Sequence, residues 1–225
     1  MMSYKEEFIK LMVKANVLRF GDFTAKSGRK TPYFINTGNY KFGEDMCKLG
    51  GFYADCYHEN LKNEVNLLFG PAYKGIPLVV AASTMLSSKY NINTPICFNR
   101  KEAKDHGEGG IFVGKTPESG DNVVIIEDVI TAGTAVRESM DILGSIEGVK
   151  VTDLIIAVDR KEKGKNGDKS TLKELEEEFS IKVHSIVTID DILEYLYNRE
   201  IDGKVYIDDT MKARIEEYLI NYGAI

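Results

Sequence analysis

Glu127 and Asp128 are adjacent carboxylates that close an apolar run, and a Thr/Gly-rich loop follows them at once in VVIIEDVITAGTA, Val123 to Ala135. The run reads as a buried strand, and the residues from Thr134 onward as the start of a helix. A helix N-terminus offers free backbone N–H groups and the positive end of the helix dipole, which together favour an anion. Gly133 lets the backbone approach a ligand closely, and Thr131 and Thr134 add hydroxyl donors. An anion cradle therefore lies beside a pair of acceptors. A bare phosphate would be repelled by the carboxylates. A phosphorylated sugar suits both parts, because its phosphate fits the cradle and its hydroxyls donate to the carboxylates. Such carboxylates also stabilise a ring that turns cationic as a leaving group departs. The residues alone leave three readings open: a phosphosugar site, another ligand site such as an acidic strand end holding Mg²⁺, or a structural turn.

Other stretches hold groups that suit anions. GPAYKGIP, Gly70 to Pro77, carries Tyr73 and Lys74 after a strand, although a plain Gly-Pro turn accounts for it equally. FNRKEAKDHGEGG, Phe98 to Gly110, carries Arg100, Lys101, Lys104 and His106. Glu102, Asp105 and Glu108 balance its charge, so by composition it is a solvated loop. Its glycines and donors would still let it fold over an anion and exclude water. Arg160, at the end of VTDLIIAVDR, is a planar bidentate donor suited to a carboxylate, or simply a surface Arg at a strand end.

The elements that must position these groups alternate along the chain. A capping box, Ser3 with Glu6, opens a first helix that reads to about Leu18. FTAKSGRKTPYFINTG reads as two extended pieces around Ser27–Gly28, and Phe42 to Leu61 as an amphipathic helix. Apolar runs at NLLFG, TPICFN, NVVIIEDV, VTDLIIAVDR and KVHSIVT then alternate with helices near 75–89, 134–143 and 171–179. Continuous apolar strands between helices imply an α/β fold with a mostly parallel sheet covered on both faces. Two more helices are expected near 190–197 and 209–222, and Arg160–Ser170 reads as a mobile polar loop.

The 225 residues suit one domain. The net charge of −6 argues against general binding to nucleic acid or an anionic membrane. The three cysteines match no metal or redox spacing, and no secretion signal is expected at the N-terminus, so the expected location is cytoplasmic.

VVIIEDVITAGTA resembles the phosphoribosyl diphosphate (PRPP) signature of type I phosphoribosyltransferases, with Glu127 where the orotate-specific members commonly carry Asp. GPAYKGIP, FNRKEAKDHGEGG, AKSGRKTPYFINTG and AVDRKEKG are similar to four further segments of those members, from about Phe20 to Leu196. The resemblance implies the type I fold: a central, mostly parallel sheet flanked by helices, as one domain over 1–225. Its core would lie at about 64–190, with a small hood from about 1–40 and the C-terminal helices. It implies an orotate phosphoribosyltransferase of pyrimidine biosynthesis. Lys104, His106 and Asp128 would be catalytic. PRPP would meet Lys26, Tyr73, Lys74, Arg100, Lys101, Lys104, His106, Glu127 and Asp128, and the run Val129, Ile130, Thr131, Ala132, Gly133, Thr134 and Ala135. Orotate would meet Lys26, Phe34, Ile35, Thr131 and Arg160. Mg²⁺ would be held mainly by PRPP, without a protein-only metal cage. A homodimer is implied, with the 98–110 lid reaching the neighbouring site, as is a non-proline cis bond between Ala72 and Tyr73. The rivals are a phosphoribosyltransferase for another base and a PRPP-sensing regulator without turnover.

Overall fold

The computed structural model describes residues 3–25, 28–61, 65–104, 110–164 and 167–224, with residues 103 and 104 described by backbone alone. A six-stranded sheet forms its centre, in the order β5–β4–β3–β6–β7–β8. These strands are β3 (Leu67–Gly70), β4 (Ile96–Lys104), β5 (Gly110–Gly114), β6 (Asn122–Ile126), β7 (Lys150–Asp159) and β8 (Lys182–Thr188). All neighbours are parallel except β4 and β5.

Strand alternation explains why the apolar runs are unbroken. Val123 and Ile125 pack in one core with Leu67, Phe69, Leu154 and Ile156. Val124 and Ile126 pack in the other with Leu68, Ile155 and Ala157. Both faces are buried, so each successive side chain has to be apolar. The first face is covered by α4 (Thr134–Gly144) and α5 (Thr171–Phe179). The second is covered by α1 (Tyr4–Lys14), α2 (Gly43–Asn60), α3 (Gly75–Tyr90), α6 (Ile189–Leu196) and α7 (Asp209–Tyr222).

Helix α3 links β3 to β4 on one face, and α4 links β6 to β7 on the other. The chain therefore winds in opposite directions from β3 and β6, which lie side by side. A crevice opens beyond the carboxyl ends of strands at such a reversal, and ligands bind there. The loops after β3 and β6 are GPAYK and EDVITAG, so topology alone brings two of the singled-out stretches together.

Before the sheet, β1 (Leu18–Thr24) and β2 (Lys30–Ile35) form a separate antiparallel hairpin, and a short 3₁₀ turn, Thr37–Asn39, leads on to α2. Helix α7 packs against β2.

Several expectations need correction. The first helix stops at Lys14 rather than Leu18, because Asn16 takes a left-handed conformation (φ 54°) and Leu18 enters β1. The lid stretch begins as strand: β4 runs to Lys104 and β5 returns from Gly110, an antiparallel edge that apolar runs alone did not reveal. Gly109 to Thr116, GGIFVGKT, spells the P-loop pattern G-x-x-x-x-G-K-[ST] in letters. Residues 110–114 form β5 and residues 115–121 form no helix, so the strand–loop–helix context of a P-loop is missing, while Gly109 lies outside the described residues. A small hairpin, β9 (Glu200–Ile201) with β10 (Lys204–Val205), was also unforeseen. The Arg160–Ser170 stretch is tied down where it is described, since Glu162 bridges to Gly223 and Lys163 to Ser170. Among the described residues, no helix is long and apolar enough to cross a membrane.

Candidate active site

The Asp128 side chain gathers groups from two other segments, the 3₁₀ turn and the loop after β3. Its Oδ2 accepts from Thr37 Oγ1 at 2.6 Å and from Lys74 Nζ at 2.8 Å. Lys74 also donates to Thr37 Oγ1 at 3.3 Å. The Asp128 side chain is only 6% exposed, whereas that of Lys74 is 63% exposed. A cation thus stands at the mouth of the crevice over a buried carboxylate.

The backbone under the carboxylates is pinned. Glu127 N donates to Ile155 O at 3.0 Å, Ala157 N donates to Asp128 O at 2.7 Å, and Tyr53 Oη donates to Glu127 O at 2.7 Å. The Glu127 side chain is different: its Oε2 is buried and has no hydrogen-bond partner among the described residues. Burial, and next the neighbouring charge of Asp128, push its carboxyl up to about 8, with Lys74 opposing. An acceptor of this kind lacks the hydroxyl or cation that would satisfy it.

Glu127 and residues 129–136 line a cavity of about 190 Å³ at the N-terminus of α4. Two carbonyls of the loop are held from behind. Thr171 Oγ1 donates to Thr131 O at 2.9 Å, and Arg137 Nη1 donates to Ala132 O at 2.8 Å. Arg137 is in turn fixed by Glu178. Gly133 sits at φ 71°, and a Cβ there would lie 2.8 Å from Arg137 Nη1 and 3.2 Å from Thr171 Cγ2.

On the β3 side, the Ala72–Tyr73 peptide is cis. Asn99 Oδ1, buried within β4, accepts from Ala72 N at 2.9 Å and holds this turn. Tyr73 is 72% exposed beside Lys74.

The remaining candidates are placed as follows. Arg160 lies under the hairpin, paired with Glu162. Ile35 packs against the main core, while the Phe34 ring stacks on Phe23 with centroids 5.5 Å apart. Strand alternation sends Phe34 to the face away from Tyr33 and Arg160, so what Phe34 can offer near Arg160 is backbone. Arg100 donates to the carbonyls of Gly110 and Phe112 at 3.2 and 3.1 Å, and Lys101 pairs with Glu138 at 3.3 Å. Among the described residues, neither shares a hydrogen bond or ion pair with Asp128, whose side-chain partners are Thr37 and Lys74. Lys26 and His106 lie outside the described residues, as does the Lys104 side chain. Thr37, Asn99 and Tyr53 were not foreseen. Only Asn99 left a trace, as the first polar residue after the apolar run PICF.

The model for the phosphoribosyl transferase domain family matches residues 36–188. An orotate phosphoribosyltransferase of Clostridium acetobutylicum is 56% identical over 223 residues, 99% of each chain. One from Clostridium beijerinckii is 52% identical over all of both chains. The crystal structure of the Francisella tularensis orotate phosphoribosyltransferase superposes with a TM-score of 0.84 at 39% identity, covering 97% of this chain and 100% of that one. The buried acidic pair, the cradle at α4 and the reversal between β3 and β6 thus sit in a familiar frame. The chain belongs to the orotate phosphoribosyltransferases, with their type I phosphoribosyltransferase fold.

Proposed function

We infer that this chain transfers the phosphoribosyl group of PRPP to orotate, giving orotidine 5'-phosphate and diphosphate in pyrimidine biosynthesis. The observation that carries this is the Glu127–Asp128 pair abutting the cavity at the N-terminus of α4. One ligand with a phosphate, a ring of hydroxyls and a carbon that becomes cationic satisfies both parts at once. Residues Val129 to Ala135 receive the 5-phosphate, and Glu127 and Asp128 accept from the ribose hydroxyls. As diphosphate departs, the Asp128 carboxylate lies beside the developing oxocarbenium charge and stabilises it, and Glu127, neutral in the free protein, joins it where bound ribose hydroxyls favour its ionised form. The orotate ring nitrogen attacks from the hood side, where Arg160 meets the ligand carboxylate and Lys26, the Phe34–Ile35 backbone and Thr131 border the ring.

Tyr73 and Lys74 meet the diphosphate. Lys74 is already at the crevice mouth, and exchanging its contact with Asp128 for one with diphosphate frees that carboxylate for the sugar. Lys104 and His106, with Arg100 and Lys101 on the same arm, close over the leaving group. Within one chain Arg100 bonds to the carbonyls of Gly110 and Phe112 and Lys101 pairs with Glu138, which supports a homodimer in which the arm serves the neighbouring site. The unpartnered Glu127 Oε2 and Asp128 suit Mg²⁺ as a two-carboxylate edge. Among the described residues no group of three or more metal-ligating side chains occurs, so the other ligands would come from PRPP and water. Glu127 and Asp128 would hold one edge of the ion, which would supply charge neutralisation of the diphosphate. The hood comprises about 1–40 and the C-terminal helices, over a core of about 64–190. Three free thiols suit a cytoplasmic location.

Purified protein with Mg²⁺ and PRPP is expected to consume orotate, followed by its ultraviolet absorbance; no consumption overturns the assignment. Gly133→Ala, forced to hold a left-handed conformation against Arg137, is expected to raise the PRPP KM by about tenfold, from a strain of about 1–2 kcal/mol. Steady-state kinetics at saturating orotate checks this, and an unchanged KM removes the loop from the phosphate site.

A further inference from the structure

Arg160 is not a loose side chain awaiting a ligand. Its Nε donates to Glu162 Oε1 at 2.9 Å, and its Nη2 donates to the same oxygen. Tyr33 Oη donates to that oxygen too, at 2.9 Å. One carboxylate oxygen therefore collects three donors, two from Arg160 and one from Tyr33, which lies 129 positions from Glu162 in sequence. The guanidinium also lies 5.8 Å from the centre of the Tyr33 ring, and the Tyr218 ring of α7 meets Tyr33 edge-on at 5.9 Å. Tyr33 is 1% exposed.

The turn that carries Glu162 is itself fixed. Lys161 N donates to Asp159 Oδ1 at 2.7 Å. Lys163 N donates to Tyr222 O at 2.8 Å, and Ala224 N donates to Lys161 O at 2.7 Å. Glu162 is thus held by backbone on one side and by Tyr33 on the other. It occupies the Nε/Nη2 edge of Arg160. Among the described residues no hydrogen bond engages Nη1, so the Nη1/Nη2 end is the one presented for a ligand carboxylate.

We propose that Glu162, braced by Tyr33, is a positioning residue for orotate: it locks Arg160 edge-on so that the guanidinium end faces the ligand carboxylate. The proposal rests on the reading of Arg160 as the partner of that carboxylate. Two effects of Glu162 oppose each other. Its charge offsets part of the attraction of Arg160 for a second carboxylate, while its grip removes the rotamer freedom that Arg160 would otherwise lose on binding. The grip is the larger effect here, because three donors on one half-buried oxygen and a closed turn restrict the orientation of Arg160, whereas the charge of a ligand carboxylate still meets the far end of a delocalised cation.

The test is a kinetic cycle on the intact enzyme with Glu162→Gln, Tyr33→Phe, Arg160→Ala and the double variant Arg160→Ala/Glu162→Gln. Glu162→Gln is expected to raise the orotate KM by about tenfold and to leave the PRPP KM within about twofold. Tyr33→Phe, which removes one of three donors, should act in the same direction by about threefold. The double variant should be no worse for orotate than Arg160→Ala alone, because Glu162 acts through Arg160. A fall in the orotate KM of Glu162→Gln would show that Glu162 competes with the ligand and would overturn the proposal. Equal rises in both KM values, or additive losses in the double variant, overturn it as well. If Arg160→Ala leaves the orotate KM unchanged, the reading of Arg160 falls and the proposal with it. If only Glu162→Gln is silent, the reading of Arg160 stands alone.

Discussion

Asp128→Asn is expected to lower kcat/KM by a factor on the order of 10²–10³, the usual cost of removing one preorganised charge from a developing transition state. Three features make this effect large. The carboxylate is almost fully buried, so its field is weakly screened. Its backbone is bonded to β7, so it cannot drift away from the sugar. Its place beside Glu127 sets two acceptors on the crevice, and Asn turns one of them into a neutral amide. Stability should change little, because Lys74, which loses its ion partner, is mostly exposed and finds water instead. Steady-state kinetics with a urea midpoint for the same sample separates the two outcomes. A variant within about fivefold of the parent in kcat/KM would remove Asp128 from the chemistry.

Glu127→Gln is expected to have opposite effects on activity and on stability. Activity should fall, because the amide cannot ionise when ribose hydroxyls bind and favour the charged carboxylate. Stability should rise, and only at higher pH. In the folded protein burial and the charge of Asp128 push the Glu127 carboxyl up to about 8, from an ordinary value of 4.5. Between those limits the folded chain holds a proton that the unfolded chain releases, so stability falls as pH rises through that window. At about 1.4 kcal/mol per unit the loss approaches roughly 5 kcal/mol by pH 8, an upper bound once local relaxation is allowed. Gln carries no such penalty. The variant should match the parent near pH 4.5 and exceed it by about 2–4 kcal/mol at pH 8.5 without ligand. Urea melts at the two pH values check this, and a parallel shift at both would show that Glu127 is not held neutral.

The two predictions differ because adjacent residues were given different surroundings, which the letters E and D do not disclose. The sequence did announce the pair itself, the cradle and the alternation of strands with helices. Those signals are local: an apolar run, a Thr/Gly loop and a helical period each lie within about a dozen residues. What stayed hidden was long-range. Thr37 reaches Asp128 from 91 positions away, and Tyr53 reaches Glu127 from 74. Neither belongs to a pattern, and only the packing of α2 and the 3₁₀ turn brings them in. The β4–β5 arm was misread for another reason. Its composition is that of a solvated loop, yet an edge strand with one exposed face needs few apolar residues. Arg160 was visible as a candidate, but its grip by Glu162 was not, because Tyr33 and the backbone after α7 complete it.

That last feature bears on how the molecule assembles. The six-stranded sheet closes through neighbouring crossovers, whereas the Tyr33–Glu162–Arg160 contact and the Tyr33–Tyr218 edge join the opening hairpin to the middle and final portions of the chain. Contacts across such spans are entropically costly to form early, so they belong to the late stages of folding. The hairpin shares no strand with the central sheet, so these contacts around the buried Tyr33 are part of what couples it to the rest of the chain. Affinity for the base thus reports on the last step of assembly, while the phosphate cradle, built on β6 and α4, forms with the core.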